Sequence, residues 1–266
     1  MHPTKSDWAD NTWNPISGCY YSCSSCMARR RATLDDGRKT DPEPLRECDL
    51  VLHDLEKPIT DAAEHPMSFP YGFEPTFHRY RLGTPGRIRK QRTILVGTMG
   101  DLFGDWIPDE WIQEVFRACM KAEQHRYLFQ TRNPTRYIDL AEKGLLPDKP
   151  NIWYGYTATH QKDLWTFRNK DECPCKRLFI SIQPLLEPIY PWFSKCLPAD
   201  WVIVGAKAGP GSERVMPKRE WIEGIVWECH EARIPVFLRN SLAGIMGDEL
   251  EQEYPWKKQS GKVTSA

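Results

Sequence analysis

No apolar run in this 266-residue chain approaches the roughly 20 residues that a membrane span requires. The opening residues, Met1-His2-Pro3-Thr4-Lys5, lead into polar sequence without the apolar core of a secretion signal, so the cytoplasm is the expected location. Charge of one sign is also missing. The 36 basic and 36 acidic residues cancel, so binding of nucleic acid through bulk charge is not expected, although a local basic patch is compatible with the balance. There is no internal repeat, no phosphate-loop spacing, no H-x3-H pair among the seven histidines and no Ser-His-Asp arrangement that spacing supports. An odd count of nine cysteines without a secretion signal argues against a disulfide framework and leaves thiols for metal.

What is present is an ordinary globular composition, 40% hydrophobic and 27% charged, long enough for one large domain. Short β-branched and aromatic runs recur at residues 93–97, 127–131, 152–156, 178–182, 201–205 and 236–239, with the length and composition of buried parallel strands. Helical patterns separate them. From Asp109 to Glu123, Trp111, Ile112, Val115, Phe116, Cys119 and Met120 fall at spacings of three and four, and Thr135 to Lys143 and Lys218 to Ala232 are similar. Alternating strands and helices predict an α/β fold, a partial or complete (β/α) barrel, with a doubly wound open sheet as the alternative. The expectation is one domain over 1–266, with an irregular insertion at about 35–91. Trp111, Trp201 and Trp221 fall on apolar faces and read as core. Function is expected where such sheets gather it, at the carboxyl ends of the strands.

One cluster stands out. Cys19, Cys23 and Cys26 form C-x3-C-x2-C, three soft ligands suited to an iron–sulfur cubane, with no fourth cysteine nearby. A cubane held by three thiolates keeps one iron free of protein. The competing reading is a structural zinc with a distant fourth ligand: Cys48, His53, Cys173 or Cys175. That zinc site would belong to a non-catalytic nucleic-acid-binding module using Arg29-Arg30-Arg31 and Arg87 to Lys90 on phosphates. A catalytically idle iron–sulfur protein is a third reading. Cys173-Pro174-Cys175 offers a second metal pair or simply a loop.

The spacing resembles the signature of the radical S-adenosylmethionine (SAM) superfamily. The wider text is similar to a phage-associated family within it. The shared features are Thr12-Trp13-Asn14-Pro15 with Gly18-Cys19, Met99-Gly100-Asp101-Leu102-Phe103, Gln124-His125, Gln183-Pro184-Leu185-Leu186, and Asp200 to Gly205 followed by Gly209-Pro210-Gly211. They cover about residues 8 to 240 in order, and motifs in register are more specific than the cysteines alone.

The resemblance implies a (β/α) barrel with the cluster loop after a first strand at Thr12 to Ile16, and a helix beginning near Met27. It implies a [4Fe-4S] cluster on Cys19, Cys23 and Cys26 whose open iron binds SAM. The cluster reduces SAM to a 5'-deoxyadenosyl radical that abstracts hydrogen from a substrate, with electrons from a donor such as flavodoxin or ferredoxin. Met27 stands where an aromatic usually meets the adenine. Asp101 would accept the SAM amino group, with a turn or N-cap role as the alternative; Thr131, Thr157 and Ser181 would face the ribose or carboxylate, or only cap strand ends. The loop from Gly205 to Gly211 would let backbone approach the cofactor, or form a tight turn. Gln183 replaces a family acid, Gly205-Ala206-Lys207 replaces a Gly-Gly-Glu motif and Arg132 replaces a lysine. With Arg239, these residues predict an anionic substrate, a nucleotide or a modified nucleic acid base, unless they are only surface groups.

Overall fold

Strands form in this chain where the sequence can be covered on both faces. Thr93-Ile94-Leu95-Val96 and Leu178-Phe179-Ile180-Ser181-Ile182 are buried at every position, as strands of a parallel sheet require. The computed structural model describes residues 2–3, 6–23, 26–36, 50–167, 169–190, 198–207 and 215–257. The chain falls into two compact units, Met1–Tyr154 and Gly155–Ala266.

The first unit holds β1 (His2–Pro3), β2 (Asn11–Trp13), β3 (Ile16–Ser17), α1 (Met27–Asp36), β4 (His53–Leu55), β5 (Thr76–His78), β6 (Thr93–Val96), α2 (Asp109–Lys121), β7 (Arg126–Thr131), α3 (Thr135–Glu142) and the start of β8 (Ile152–Ala158). Its main sheet runs β1-β2-β6-β7-β8. β1 is antiparallel to β2, while β2, β6 and β7 are parallel, with Asn11 opposite Ile94 and Ile94 opposite Tyr127. Trp111, Ile112, Val115, Phe116 and Cys119 of α2 are buried as their spacing predicts. They meet an aromatic core in which the Phe103 ring stands edge-on to Phe129 and Tyr137, with centroids 5.8 and 4.8 Å away.

The second unit continues β8 and adds β9 (Leu178–Ile182), β10 (Trp201–Val204), α4 (Arg219–Glu231), β11 (Val236–Leu238) and α5 (Ala243–Met246). Its strand order is β8-β9-β10-β11, with β9, β10 and β11 parallel. Helix α4 turns Ile222, Ile225 and Cys229 inward. The indole N–H of the buried Trp201 donates to the Glu253 carbonyl at 3.0 Å.

The fold is therefore mixed α/β with a seven-stranded parallel sheet, compatible with a partial (β/α) barrel. Within each unit the strand order follows the chain without the reversal that defines a doubly wound sheet. Two expectations need correction. The strand expected at Thr12 to Ile16 is two strands, because Pro15 has no N–H to donate and Asn14 turns its side chain into the loop after β6. The insertion expected to be irregular carries β4 and β5, which with β3 form a second sheet in the order β3-β5-β4. β5 is fully buried despite its polar ends, because His78 bonds Ser17 at 2.7 Å and Tyr80 at 3.1 Å. Residues 37–49, including Cys48, and 208–214, including most of the Gly205 to Gly211 loop, lie outside the described residues.

Candidate functional site

The cysteine loop leaves β3 at Gly18. Its φ of +82° belongs to the left-handed region that favours glycine, and a Cβ there would sit 2.2 Å from the Glu74 carbonyl oxygen. Gly18 pairs with Gly100 in the loop after β6, where a Cβ would come within 2.4 Å of the Gly18 oxygen. The Gly18 N–H donates to Met99 and the Cys19 N–H to Phe73, at 2.9 and 3.0 Å. Asn14 completes the attachment by accepting from the Met99 N–H at 3.1 Å. The loop is thus fixed between the end of β6 and the segment leading into β5.

Each end of the loop engages a thiol. Cys19 Sγ accepts from the Tyr21 N–H, and Cys26 Sγ accepts from the Arg29 N–H, both at 3.4 Å. Cys26 therefore caps α1, which begins at Met27 as the sequence indicates, and an anionic sulfur there faces the positive end of the helix. Met27 is half exposed. The zinc-module alternative has Arg29 contact phosphate together with Arg30 and Arg31. Instead its Nη2 donates to the carbonyls of Cys19 and Tyr21, at 3.1 and 2.8 Å, and its guanidinium lies over Phe73. Trp106 closes the opposite flank, edge-on to Tyr20 and Tyr21. Two donors in this wall, Arg29 Nε and Trp106 Nε1, are buried without a hydrogen-bond partner among the described residues.

The electrostatics carry the same message. Burial pushes the Cys19 thiol up, followed by the charge of Asp101 and then Cys23 and Cys26. Burial also raises Cys23, with Cys26 and Asp101 adding to it and Arg132 and Arg29 opposing. The three sulfurs lie within electrostatic reach of one another, and burial disfavours the thiolate form of Cys19 and Cys23. Bound metal supplies the charge that makes thiolates stable in such surroundings. Among the described residues no three His, Cys, Asp or Glu side chains converge on one metal ion. A single tetrahedral zinc needs its sulfurs about 3.8 Å apart, given a Zn–S length near 2.3 Å. A cubane instead takes each thiolate on a different iron, and three soft sulfur donors on one loop, with two buried N–H groups left unpartnered beside them, are chemically suited to it. His53, the zinc alternative's histidine, is committed to Glu74 at 2.5 Å and stacks on Tyr71.

Asp101 lies beneath the loop, 7% exposed. It accepts from the Phe103 N–H at 3.0 Å, the Thr131 hydroxyl at 2.7 Å and the Arg132 N–H at 2.8 Å. Burial raises its pKa and these bonds oppose the shift. A carboxylate has about four acceptor positions, so one remains for a ligand. Asp101 makes an Asx-type turn and ties β6 to β7; it does not cap a helix, since α2 starts at Asp109. The Thr131 hydroxyl donates to Asp101 and accepts from the Asn133 N–H at 2.9 Å, so it positions the carboxylate. The exposed Arg132 guanidinium lies within electrostatic reach of Cys23.

The remaining candidates belong to the second unit. Thr157 is half-buried in β8, and Ser181 is buried in β9 with its hydroxyl unpartnered. Gln183 and Arg239 converge over Gly205, where a Cβ would meet Arg239 Cδ at 3.0 Å and Gln183 Cδ at 3.2 Å. Lys207 follows, half-buried, and the Ala206 N–H donates to Ser241 at 3.1 Å. Nothing in the sequence marks Ser241 or Trp106, and it suggests other parts for Asn14, a motif residue, and Arg29, a phosphate contact. For Arg29 the signal was its place three residues after the last cysteine, where a helix capped by that cysteine turns it back on the loop.

No curated protein and no solved structure matches the chain. Residues 3–261 match the family model described as protein of unknown function DUF5131, and the chain belongs to that family.

Proposed function

We propose that this member of the family is a radical SAM enzyme, with Cys19, Cys23 and Cys26 holding a [4Fe-4S] cluster, that acts on an anionic substrate, a nucleotide or modified nucleic acid base. One observation carries the reading. Three free thiols share one loop beside the carboxyl end of β6, within electrostatic reach of one another and of the buried Asp101 carboxylate. When bound, the cluster supplies the electron that breaks the sulfonium C5'–S bond of SAM and starts hydrogen abstraction. The protein's own part is orientation. Arg29 holds the loop closed, and Asp101, fixed by Thr131 and the Phe103 and Arg132 amides, presents its remaining lone pair to the SAM amino group. Within the first unit Arg132 supplies positive charge beside the cysteine loop; within the second, Gln183, Lys207 and Arg239 supply donors suited to an anion.

The test is anaerobic reconstitution with iron and sulfide. A brown protein with about four irons per chain that forms 5'-deoxyadenosine from SAM and dithionite supports the reading. A colourless protein that retains a single zinc returns the zinc-stabilised binding module. Lys207→Glu tests the anionic substrate: unchanged affinity for it would remove that part of the proposal.

A further inference from the structure

The first unit has a second feature of note, at the edge where its parallel strands begin. Residues 82–92 cross the end of α2 and are held there by a buried histidine. His125 accepts from the Arg92 N–H at Nδ1, 3.2 Å, and its Nε2 lies 3.0 Å from the Pro85 carbonyl, a pair of roles that fits the neutral ring. Gln124 donates to the Ile88 carbonyl at 2.9 Å. Between this segment and α2 lies a groove of about 360 Å³ whose lining includes Gly83, Gly86, Glu114, Arg117 and Lys121. A Cβ on Gly83 or Gly86 would touch nothing within 4 Å, so the groove floor is open backbone.

The charge around it is one-sided. Arg87, Arg89, Lys90, Arg117 and Lys121 are exposed and Arg92 is half-buried, and no acid occurs between Gly86 and Gly100. None of Arg87, Arg89, Lys90, Arg92 and Lys121 forms an ion pair among the described residues. Glu114 also lines the groove but is paired with Arg79, and the exposed acids at this end are Glu123 and Asp10, the latter accepting from the Thr93 N–H. In a chain of zero net charge, this is a concentration of unspent cations on a fixed frame.

We propose that this edge binds the phosphate backbone of double-helical nucleic acid. Cations that outnumber the neighbouring acids and carry no ion pair of their own are stabilised by a polyanion, whose condensed counterions are released. No aromatic side chain lines the groove, so it lacks the stacking platform by which single strands are gripped. Contacts of this kind position a duplex without reading its sequence. The site lies at the amino ends of β6 and β7, the opposite end from Gly18 and Asp101, so it tethers nucleic acid and does not perform chemistry. It stands without the cluster assignment.

The test is fluorescence anisotropy of the whole protein with labelled DNA and RNA duplexes of about 20 base pairs, between about 50 and 200 mM salt. Affinity should fall with salt, with a log–log slope near −0.9 per phosphate contacted. Arg87→Ala/Arg89→Ala/Lys121→Ala should flatten that slope by about 2.7. Arg87→Lys/Arg89→Lys should keep it, and an unchanged thermal melt confirms folding of both variants. Binding of both duplexes supports a backbone site, and binding of one alone identifies the helix it serves. The proposal is overturned if neither duplex binds at the lowest salt, if the triple alanine variant keeps the full slope, or if poly-glutamate binds more tightly than both duplexes, which would indicate an acidic protein partner.

Discussion

The chain holds two groups of closely spaced cysteines, and their surroundings differ in kind. Cys19, Cys23 and Cys26 sit on a polar loop, half-buried, stapled by Arg29 and walled by donors that have no partner. Cys173 and Cys175 in the second unit are buried and satisfy each other. A hydrogen bond from the Cys175 thiol lowers the Cys173 pKa, burial pushes Cys175 well up, and the Cys173 thiol reaches the Cys175 carbonyl at 3.6 Å. The second pair is complete as it stands. The first group leaves hydrogen-bonding capacity unspent, and a buried donor without a partner costs about 1–3 kcal/mol. That cost persists where a ligand removes it, which is why the first group reads as a site and the second as packing.

The largest effect that would break this contrast is metal loading. Replacing Cys19, Cys23 and Cys26 with alanine should abolish iron uptake in reconstituted protein. Cys173→Ala/Cys175→Ala should leave the iron and sulfide per chain unchanged; equal losses would erase the distinction.

Acid should separate the regions next. Burial, helped by Arg81, holds His78 down to about 3, against an ordinary value of 6.5. A depressed folded-state value means that the stabilisation is complete above pH 6.5 and is lost as pH falls toward 3, because the unfolded chain takes up the proton first. His78 braces Ser17, two residues before Cys19. Denaturation followed across pH 6.5 to 3 should therefore show one proton fewer taken up on unfolding in His78→Gln than in the parent. An identical pH slope would show that His78 is not held neutral.

Arg29→Ala should cost about 1–2 kcal/mol, since it leaves two part-buried carbonyls of the cysteine loop without their charged donor. Chemical denaturation of the apoprotein checks this, and limited proteolysis should locate the new cleavage between residues 18 and 27. Cys175→Ala should cost about 1 kcal/mol or less, the loss of one small buried side chain, with the proteolytic pattern unchanged.

Much of the fold is legible in the sequence because its strands are covered on both faces. Runs such as Trp201-Val202-Ile203-Val204 have nothing polar to mislead a reader, and α2 announces itself by the spacing of Trp111, Ile112, Val115 and Phe116. The small sheet is illegible for the opposite reason. His53-Asp54-Leu55 is partly exposed, and Thr76-Phe77-His78 is buried through hydrogen bonds to residues about 60 positions away in sequence. The site divides along the same line. The cysteines follow from local spacing. The environment of Asp101 depends on backbone donors from the end of β7, which no local pattern encodes, and Thr131, whose residue type suggested a ligand contact, spends its hydroxyl holding that carboxylate.

The parallel pairing of β2 with β6 has a consequence for the order of assembly. Thr93 is bonded to Asp10 across 83 residues, but to Arg126 across only 33. Loop-closure entropy makes the longer connection costlier by about 0.8 kcal/mol, and topology makes it slower. The cysteines lie inside that longer loop. A refolding chain is therefore expected to join β6 and β7 first and to gather its thiols late, so that iron offered early meets separated ligands. Pulse-labelling of backbone amides during refolding would show this as protection of Leu128 ahead of Trp13, and simultaneous protection would refute it.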